Sequence, residues 1–508
     1  MNKDNFLMNS PKKITKYAFL IFGLIAYTFS GLNWNVGIAA WMAPIFLLYF
    51  TKNAKWPGFI LFFLGMAISS AISKTAENLS GLFIIYITTG LSHGVINSIP
   101  YIIEKLLNRK GDKFYSTFIF PSAIVFTEYI LSLAFGVWGN ASIAQYHNFD
   151  LIQITSVFGV FGISFLVAWF ASMMNWIVKN GFETNIIRKG LVTYGVVFGA
   201  VLMYGGLRTS FSPPESETVK VAAIVGETDI HRVFKEWDDE IIELSKDYNM
   251  EIPDIGFSLT SAIESQVEKT KEALSNGARI VVWNEISLIL KQSQEDSLLQ
   301  QIKEQCVRNQ AYILIAFLEK NSSPLPKPFN NKSILVTPDG EIAWEYLKSF
   351  LHPLEGLVIN KGEGPIPFID SEYGRISNAI CADIDFSGYI SQIGKKSIDI
   401  LLVPAFDWEE VTPYHSDMAA FAAIQYGVSI VRSNGKGIVA FYDYLGDALA
   451  KTNTLISNSR ITYAEIPTKS PKTVYSVIGN LFVYLLILFL IIIVGLRISI
   501  KRTPGSKA

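Results

Sequence analysis

Apolar residues form long, nearly unbroken blocks over residues 17–207. They give way to short alternating runs over 214–470 and return as one block at 475–496. A helix that crosses a bilayer needs about 20 apolar residues. Blocks near that length lie at 17–33, 36–50, 57–73, 81–103, 115–135, 152–178, 190–207 and 475–496, which predicts about eight spans. The second is short and contains Pro44. The first block lacks a convincing small-residue cleavage site and further spans follow at once, so it reads as an anchor.

Between 214 and 470 the pattern changes to strand-like runs alternating with helical ones, as in a layered α/β fold. Strands are expected at 220–225, 279–284, 311–317, 332–337, 341–346, 375–381, 399–404, 428–432 and 437–442. Helices are expected at 258–276, 296–309 and 416–426. Thr337-Pro338-Asp339-Gly340-Glu341 carries turn chemistry and makes its two flanking strands a hairpin. A mixed sheet with helices on one face would leave its other face apolar and bare, so a second sheet is expected there. Phe211-Ser212-Pro213-Pro214 and Thr468-Lys469-Ser470-Pro471 read as short linkers.

Charge then orients the chain. Lys12, Lys13 and Lys16 precede the first block, and Lys52 and Lys55 separate the second from the third. Lys105, Arg109, Lys110 and Lys113 follow the fourth, and Lys179, Arg188 and Lys189 follow the sixth. Arg497, Lys501, Arg502 and Lys507 follow the last. The intervening loop 136–150 has no lysine or arginine and 74–80 has only Lys74. Basic loops stay in the cytoplasm, so both termini are expected there and the 214–470 domain outside. The organisation read from this is a cytoplasmic N-terminus (1–16), a seven-helix membrane domain (17–208), an extracytoplasmic catalytic domain (214–470), a C-terminal span (475–496) and a cytoplasmic tail (497–508).

Composition agrees with a membrane protein: 50% of the 508 residues are hydrophobic and only 17% are charged. A net charge of −1 gives no case for nucleic-acid binding. Trp34, Trp41, Trp56, Trp138, Trp169 and Trp176 fall near expected span ends, as in an interfacial belt. Glu128, a lone carboxylate in the fifth block, is expected to fix span packing, and His93 and His147 to lie at the interface. No metal-ligand spacing or phosphate-binding glycine loop occurs, so no metal and no cofactor are expected.

Three reactive groups stand at strand ends: Glu285 in Trp283-Asn284-Glu285, Lys348 in Tyr346-Leu347-Lys348, and Cys381 in Ile380-Cys381-Ala382-Asp383. A thiol near its free pKa is mostly protonated at neutral pH and needs a base or a cationic field. Glu285 offers the base. Lys348 offers the field for the thiolate and for an oxyanion formed on attack at a carbonyl. Taken singly each has an ordinary structural explanation; their joint occurrence in order points to acyl transfer. Cys306, the other cysteine, sits in a helical pattern as a small buried residue, and both cysteines are expected to stay reduced.

These motifs resemble the nitrilase (carbon–nitrogen hydrolase) superfamily, whose αββα sandwich carries a Glu–Lys–Cys triad. With its spans, the whole chain resembles the apolipoprotein N-acyltransferase family over about residues 15–497. The family's Trp-x-Glu is matched by Trp283 and Glu285. Its Tyr-x-Lys-x-x-Leu-x-Pro is matched by Tyr346, Lys348, Leu351 and Pro353, and its Ile-Cys-x-Glu/Asp by Ile380, Cys381 and Asp383. Ala405-Phe406-Asp407-Trp408, His415 and Arg432-Ser433-Asn434-Gly435 resemble later family segments, as do Glu128 and residues 153–165 in the membrane part.

The resemblance implies Glu285, Lys348 and Cys381 as catalytic residues, with Glu355, Tyr346, Asp383 and Trp408 as supporting or substrate-binding ones. It implies a phospholipid acyl donor, a diacylglyceryl lipoprotein acceptor, the lipid bilayer as surroundings, and a place in the bacterial inner membrane. The chain is expected to act as a monomer. Three departures stand out. Glu355 comes one residue earlier than the family's second glutamate. Gly226-Glu227-Thr228-Asp229 replaces a Gln-x-Asn-like run. Ala422 and Gln425 stand where the family commonly has Arg and Glu. They leave open an alternative, a membrane-tethered amidase or an N-acyltransferase for a different amine.

Overall fold

The computed structural model describes residues 13–31, 34–73, 83–108, 113–138, 141–181, 184–211, 216–226, 259–321, 327–352, 355–407 and 409–502. The chain divides into two compact units, one of residues 1–212 with 478–508 and the other of residues 213–477.

The first unit is helical. Its long helices are α1 (Lys13–Phe29), α2 (Gly37–Asn53), α3 (Gly58–Ser73), α4 (Phe83–Leu107), α5 (Ile119–Phe135), α6 (Val160–Asn180) and α7 (Thr184–Phe211). One more, Leu481–Arg502, ends the chain. Each expected block overlaps a helix, though 152–178 and 475–496 are each interrupted. Four stretches among the described residues are long and apolar enough to cross a membrane: Phe114–Phe135, Val160–Asn180, Thr184–Phe211 and Leu481–Ser499. Ile21, Phe22, Ile60, Ile68, Val196 and Met203 present more than half their surface outward, which in water would be an oversized apolar patch. Inside, Leu47, Phe50, Phe62, Met66, Tyr101 and Phe120 form a close-packed cluster. Small residues let α3 and α4 approach: a Cβ on Gly94 would lie 2.8 Å from Ala67.

Two details differ from the sequence reading. The block 152–178 is not one helix; Gly159, at φ +65°, ends a short turn before α6 begins at Val160. Apolar composition runs through that break and so conceals it. Trp169 and Trp176 are buried, with Trp169 donating to Thr117 Oγ1 at 3.1 Å, whereas Trp34 and Trp56 are exposed. Glu128 Oε1 accepts the backbone N–H of Ala141 at 3.3 Å, fastening the loop beyond its own helix.

The second unit is an αββα sandwich. One sheet has the order β14-β1-β2-β4-β5-β6, built from β1 (Thr218–Ile224), β2 (Ile280–Trp283), β4 (Tyr312–Lys320), β5 (Phe329–Val336), β6 (Ile342–Leu347) and β14 (Ile461–Pro467). Short β3 (Ile289–Lys291) joins β4, and β7 (Ile359–Asn360) joins β5. The other has the order β13-β12-β11-β10-β9-β8, built from β8 (Phe368–Ser371), β9 (Gly374–Asn378), β10 (Ile400–Ala405), β11 (Ser429–Asn434), β12 (Ile438–Tyr442) and β13 (Ala448–Asn453).

Period-two alternation builds the layers. In β1, Val219, Val221 and Ala223 face Ile400, Leu402 and Val431 of the other sheet. Ala222 and Ile224 face outward onto α8 (Leu259–Ser275) and α9 (Gln292–Asn309), against Val267, Leu274, Leu298 and Ile302. On the far side α10 (Ser387–Lys396) and α11 (Tyr414–Tyr426) complete the fourth layer, with α11 against β11 and β12. The expected hairpin forms between β5 and β6, and Gly340 at φ +79° makes its turn. The 468–471 segment is bound rather than slack: Thr468 N–H donates to Glu217 O at 3.0 Å and Ser470 N–H to Asp399 Oδ1 at 3.1 Å.

Candidate active site

Strand β2 of one sheet and the parallel strands β9, β10 and β11 of the other end in residues of one buried polar region. Glu285 lies two residues past β2, held by its neighbour Asn284. That side chain accepts from Gly226 N–H at 2.7 Å and donates to Glu285 O at 2.8 Å. Lys348 directly follows β6, and its backbone N–H donates to Asn331 O on β5 at 3.0 Å. The side chains then meet: Lys348 Nζ donates to Glu285 Oε1 at 2.8 Å and to Glu355 Oε1 and Oε2 at 2.8 and 2.9 Å. Glu355 also accepts His352 N–H at 2.8 Å. Despite its early position in the sequence, its carboxylate reaches the lysine.

Cys381 opens a tight turn, Cys381–Asp385, just past β9. Its φ of +47° is unusual for a residue with a side chain. The thiol is 7% exposed. Burial and then the Glu285 carboxylate push its pKa well up, against the pull of the Lys348 ammonium. Burial pulls Lys348 down, but Glu285 and Glu355 outweigh it and hold the ammonium well above the lysine range. The site therefore holds a thiol favoured in its neutral form beside the Glu285–Lys348 ion pair.

Asp383 joins the two loops. Its Oδ1 accepts the N–H groups of Ser349 and Phe350 at 3.0 and 2.7 Å, and its Oδ2 accepts Ile380 N–H at 3.0 Å and Tyr346 Oη–H at 2.6 Å. Burial pushes Asp383 up to about 6, against those hydrogen bonds and the Lys348 charge. Phe350 and Phe386 stack with centroids 3.8 Å apart, closing the same seam. Of the supporting residues named from the sequence, Glu355, Tyr346 and Asp383 thus lie in the site; Trp408, with Pro353 and Glu227, lies outside the described residues. Sequence reasoning missed Asn331, whose Nδ2 donates to Glu285 Oε1 at 2.7 Å. Its signal was the polar run Asn330-Asn331-Lys332-Ser333 leading into the apolar end of β5, a run whose residues 331–333 the fold buries. Cys306 and Cys381 are both free thiols. Burial pushes Cys306 up to about 12, an inert core thiol.

The αββα sandwich is a carbon–nitrogen hydrolase domain: the sequence model described as "Carbon-nitrogen hydrolase" matches residues 250–467. A second, "Apolipoprotein N-acyltransferase N-terminal domain", matches residues 22–173. The chain is 24% identical to apolipoprotein N-acyltransferase 1 of Treponema denticola over 89% of each chain, and 24% identical to the apolipoprotein N-acyltransferase of Haemophilus influenzae over 99% of each. The protein belongs to the apolipoprotein N-acyltransferase family. Among solved structures, an amidase from Nesterenkonia sp. aligns at a TM-score of 0.39 and 14% identity over 50% of this chain and 92% of that one.

Proposed function

We propose that the protein transfers an acyl chain from a phospholipid, through a thioester on Cys381, to the N-terminal amine of a diacylglyceryl-cysteine lipoprotein. The observation that carries this is the buried Glu285–Lys348 ion pair beside Cys381, in a chain whose membrane and catalytic parts both match the family.

In the first half-reaction Glu285 takes the thiol proton while Sγ attacks the ester carbonyl. Lys348 stabilises the oxyanion, and Glu355 holds Lys348 in place. The C–O bond breaks, the lysophospholipid alcohol takes the proton from Glu285, and the thioester remains. In the second half-reaction the amine attacks the thioester and Glu285 accepts its proton. The C–S bond then breaks, releasing the amide and restoring the thiol. Tyr346 and Asp383 act by holding the Lys348 loop against the Cys381 turn. No step needs a cofactor or a metal.

The membrane part has a physical purpose in this reading, since both substrates keep acyl chains in the bilayer. We read all eight long helices as spans. The alternation of basic loops supports both termini in the cytoplasm and the catalytic unit on the extracytoplasmic face of a bacterial inner membrane. Mass spectrometry of lipoproteins from a deletion strain tests the reaction. Loss of N-terminal acylation, restored by the wild-type chain and not by Cys381→Ser, supports it. Persistent acylation in the deletion strain counts against it.

A further inference from the structure

A second buried ionic group adjoins Cys381 and has no part in the chemistry above. Asp385 ends the Cys381 turn, Asp407 follows β10, His415 lies in the first turn of α11, and Arg432 and Asn434 are on β11; none is more than 3% exposed. Ligand atoms of Cys381, Asp407 and His415 lie within 4.8 Å of one another. Asp407 accepts two hydrogen bonds from Arg432, at 2.9 and 2.8 Å, and one from Asn434 at 2.7 Å. With so many donors it is a carboxylate, and a carboxylate only accepts.

That fixes the histidine. His415 Nδ1 is 2.7 Å from Asp407 Oδ1, and its Nε2 is 3.1 Å from Asp385 Oδ2. Both ring nitrogens face carboxylate oxygens, the arrangement in which an imidazolium donates to both. A metal ion does not suit these donors. Arg432 occupies both oxygens of Asp407 and lies 3.1 Å from His415 Nδ1, so a cation would meet a fixed positive charge.

We propose that His415, as an imidazolium, is a positioning residue for the nucleophile: it ties Asp385 to Asp407 and so fixes the far end of the turn that Cys381 begins. The inference rests on the reading of Cys381 as nucleophile. A non-glycine residue at φ +47° persists only where its surroundings over-determine it. Asp383 restrains the turn from the Lys348 side, and Asp385 restrains it from α11. The charged and titratable groups facing His415 are Asp385 from the turn, Asp407 from the loop after β10, Arg432 from β11, and Cys381 itself. On its own helix Asp417 pairs with Lys451 at 3.3 Å, and Glu285 and Lys348 face Cys381. Burial pulls the imidazolium down, but Asp385 and Asp407 outweigh it and hold it near pKa 9.

The test uses the full chain in phospholipid nanodiscs with Cys306→Ala in the background, so that iodoacetamide reports on Cys381 alone. His415→Gln keeps one donor and one acceptor and cannot satisfy both carboxylates. Because a misplacement of about 1 Å can cost about 100-fold, kcat for transfer from labelled phospholipid to a diacylglyceryl peptide should fall about 100-fold. KM should stay within about twofold and alkylation of Cys381 should change about tenfold. Asp385→Asn combined with His415→Gln should be no worse than His415→Gln alone, since the two act through one bond. A kcat near wild type, unchanged alkylation, or losses that multiply in the double variant would each overturn the proposal. Should His415→Gln fail to fold, Asp385→Asn decides alone: a comparable fall in kcat at constant KM supports the clamp, and wild-type kcat overturns it. Retained transfer in Cys381→Ser would instead sink the nucleophile reading, and the alkylation comparison keeps the two failures apart.

Discussion

Asp383, two residues beyond Cys381, accepts the backbone N–H of Ser349, one residue beyond Lys348, at 3.0 Å. Through this bond, and the one to Phe350 at 2.7 Å, the loop carrying the ammonium and the turn carrying the thiol are held as one piece. All the groups bonded to Asp383 are donors, which suits a carboxylate.

Asp383→Asn replaces one acceptor oxygen by a donor and sets an N–H against another donor. The expected result is a fall in kcat of about 10- to 100-fold with the fold retained. In the wild type, protonation of Asp383 near pH 6 should give transfer an acid limb with a midpoint there. Steady-state rates from pH 5 to 8 check both; an unaltered rate in the variant would remove Asp383 from the positioning role.

In the proposed mechanism the two carboxylate partners of Lys348 have different tasks. Glu285→Gln removes the base and should lower kcat by about 10²- to 10⁴-fold. Glu355→Gln leaves the Glu285–Lys348 pair and the base in place and should cost about tenfold. Rate measurements on the two variants check the order; equal losses would make Glu355 more than a holder of the lysine.

Much of this was legible in the sequence, and the failures have physical causes. The strands that became the sandwich core are short apolar runs with turn chemistry at both ends, so period-two alternation exposes them. β13 (Ala448–Asn453) and β14 (Ile461–Pro467) were missed because edge strands need no apolar alternation; their residues are mostly half-buried or exposed. α10 (Ser387–Lys396) was missed because it is short and carries two glycines. The place of Glu285, Lys348 and Cys381 just past strand ends was readable. Asn331 and Asp385 were not, because each acts through a partner distant in sequence: 46 residues separate Asn331 from Glu285, and 30 separate Asp385 from His415.

His415 makes stability depend on pH. Its folded-state pKa, about 9, lies above the ordinary value of 6.5. The charged form is therefore favoured by folding, and this contribution is fully present below about pH 6.5. It is lost as pH rises through about 9, and its size is on the order of 3 kcal/mol. Thermal unfolding of the full chain should show the catalytic unit weakening between pH 6.5 and 9. His415→Gln should flatten that slope; an identical slope in the variant would assign it elsewhere.

Cys306, fully buried on α9 against β5, belongs to the core and not to the chemistry. Cys306→Ala should keep transfer within about twofold of wild type and cost about 1 kcal/mol of stability from the small cavity. Reductant should change neither protein's activity. A dithiothreitol requirement in the wild type would point to a disulfide that this account does not contain.

The central claim is that Cys381 carries the acyl chain between two lipids. The direct measurement is to incubate the full chain with a phospholipid labelled in its acyl chain, without acceptor, and map the label by mass spectrometry of the intact protein and its peptides. The label should sit on Cys381 as a hydroxylamine-sensitive thioester and move to the amine of an added diacylglyceryl-cysteine peptide. A protein that never acquires label while still acylating the peptide, or a label on any residue other than Cys381, would contradict it.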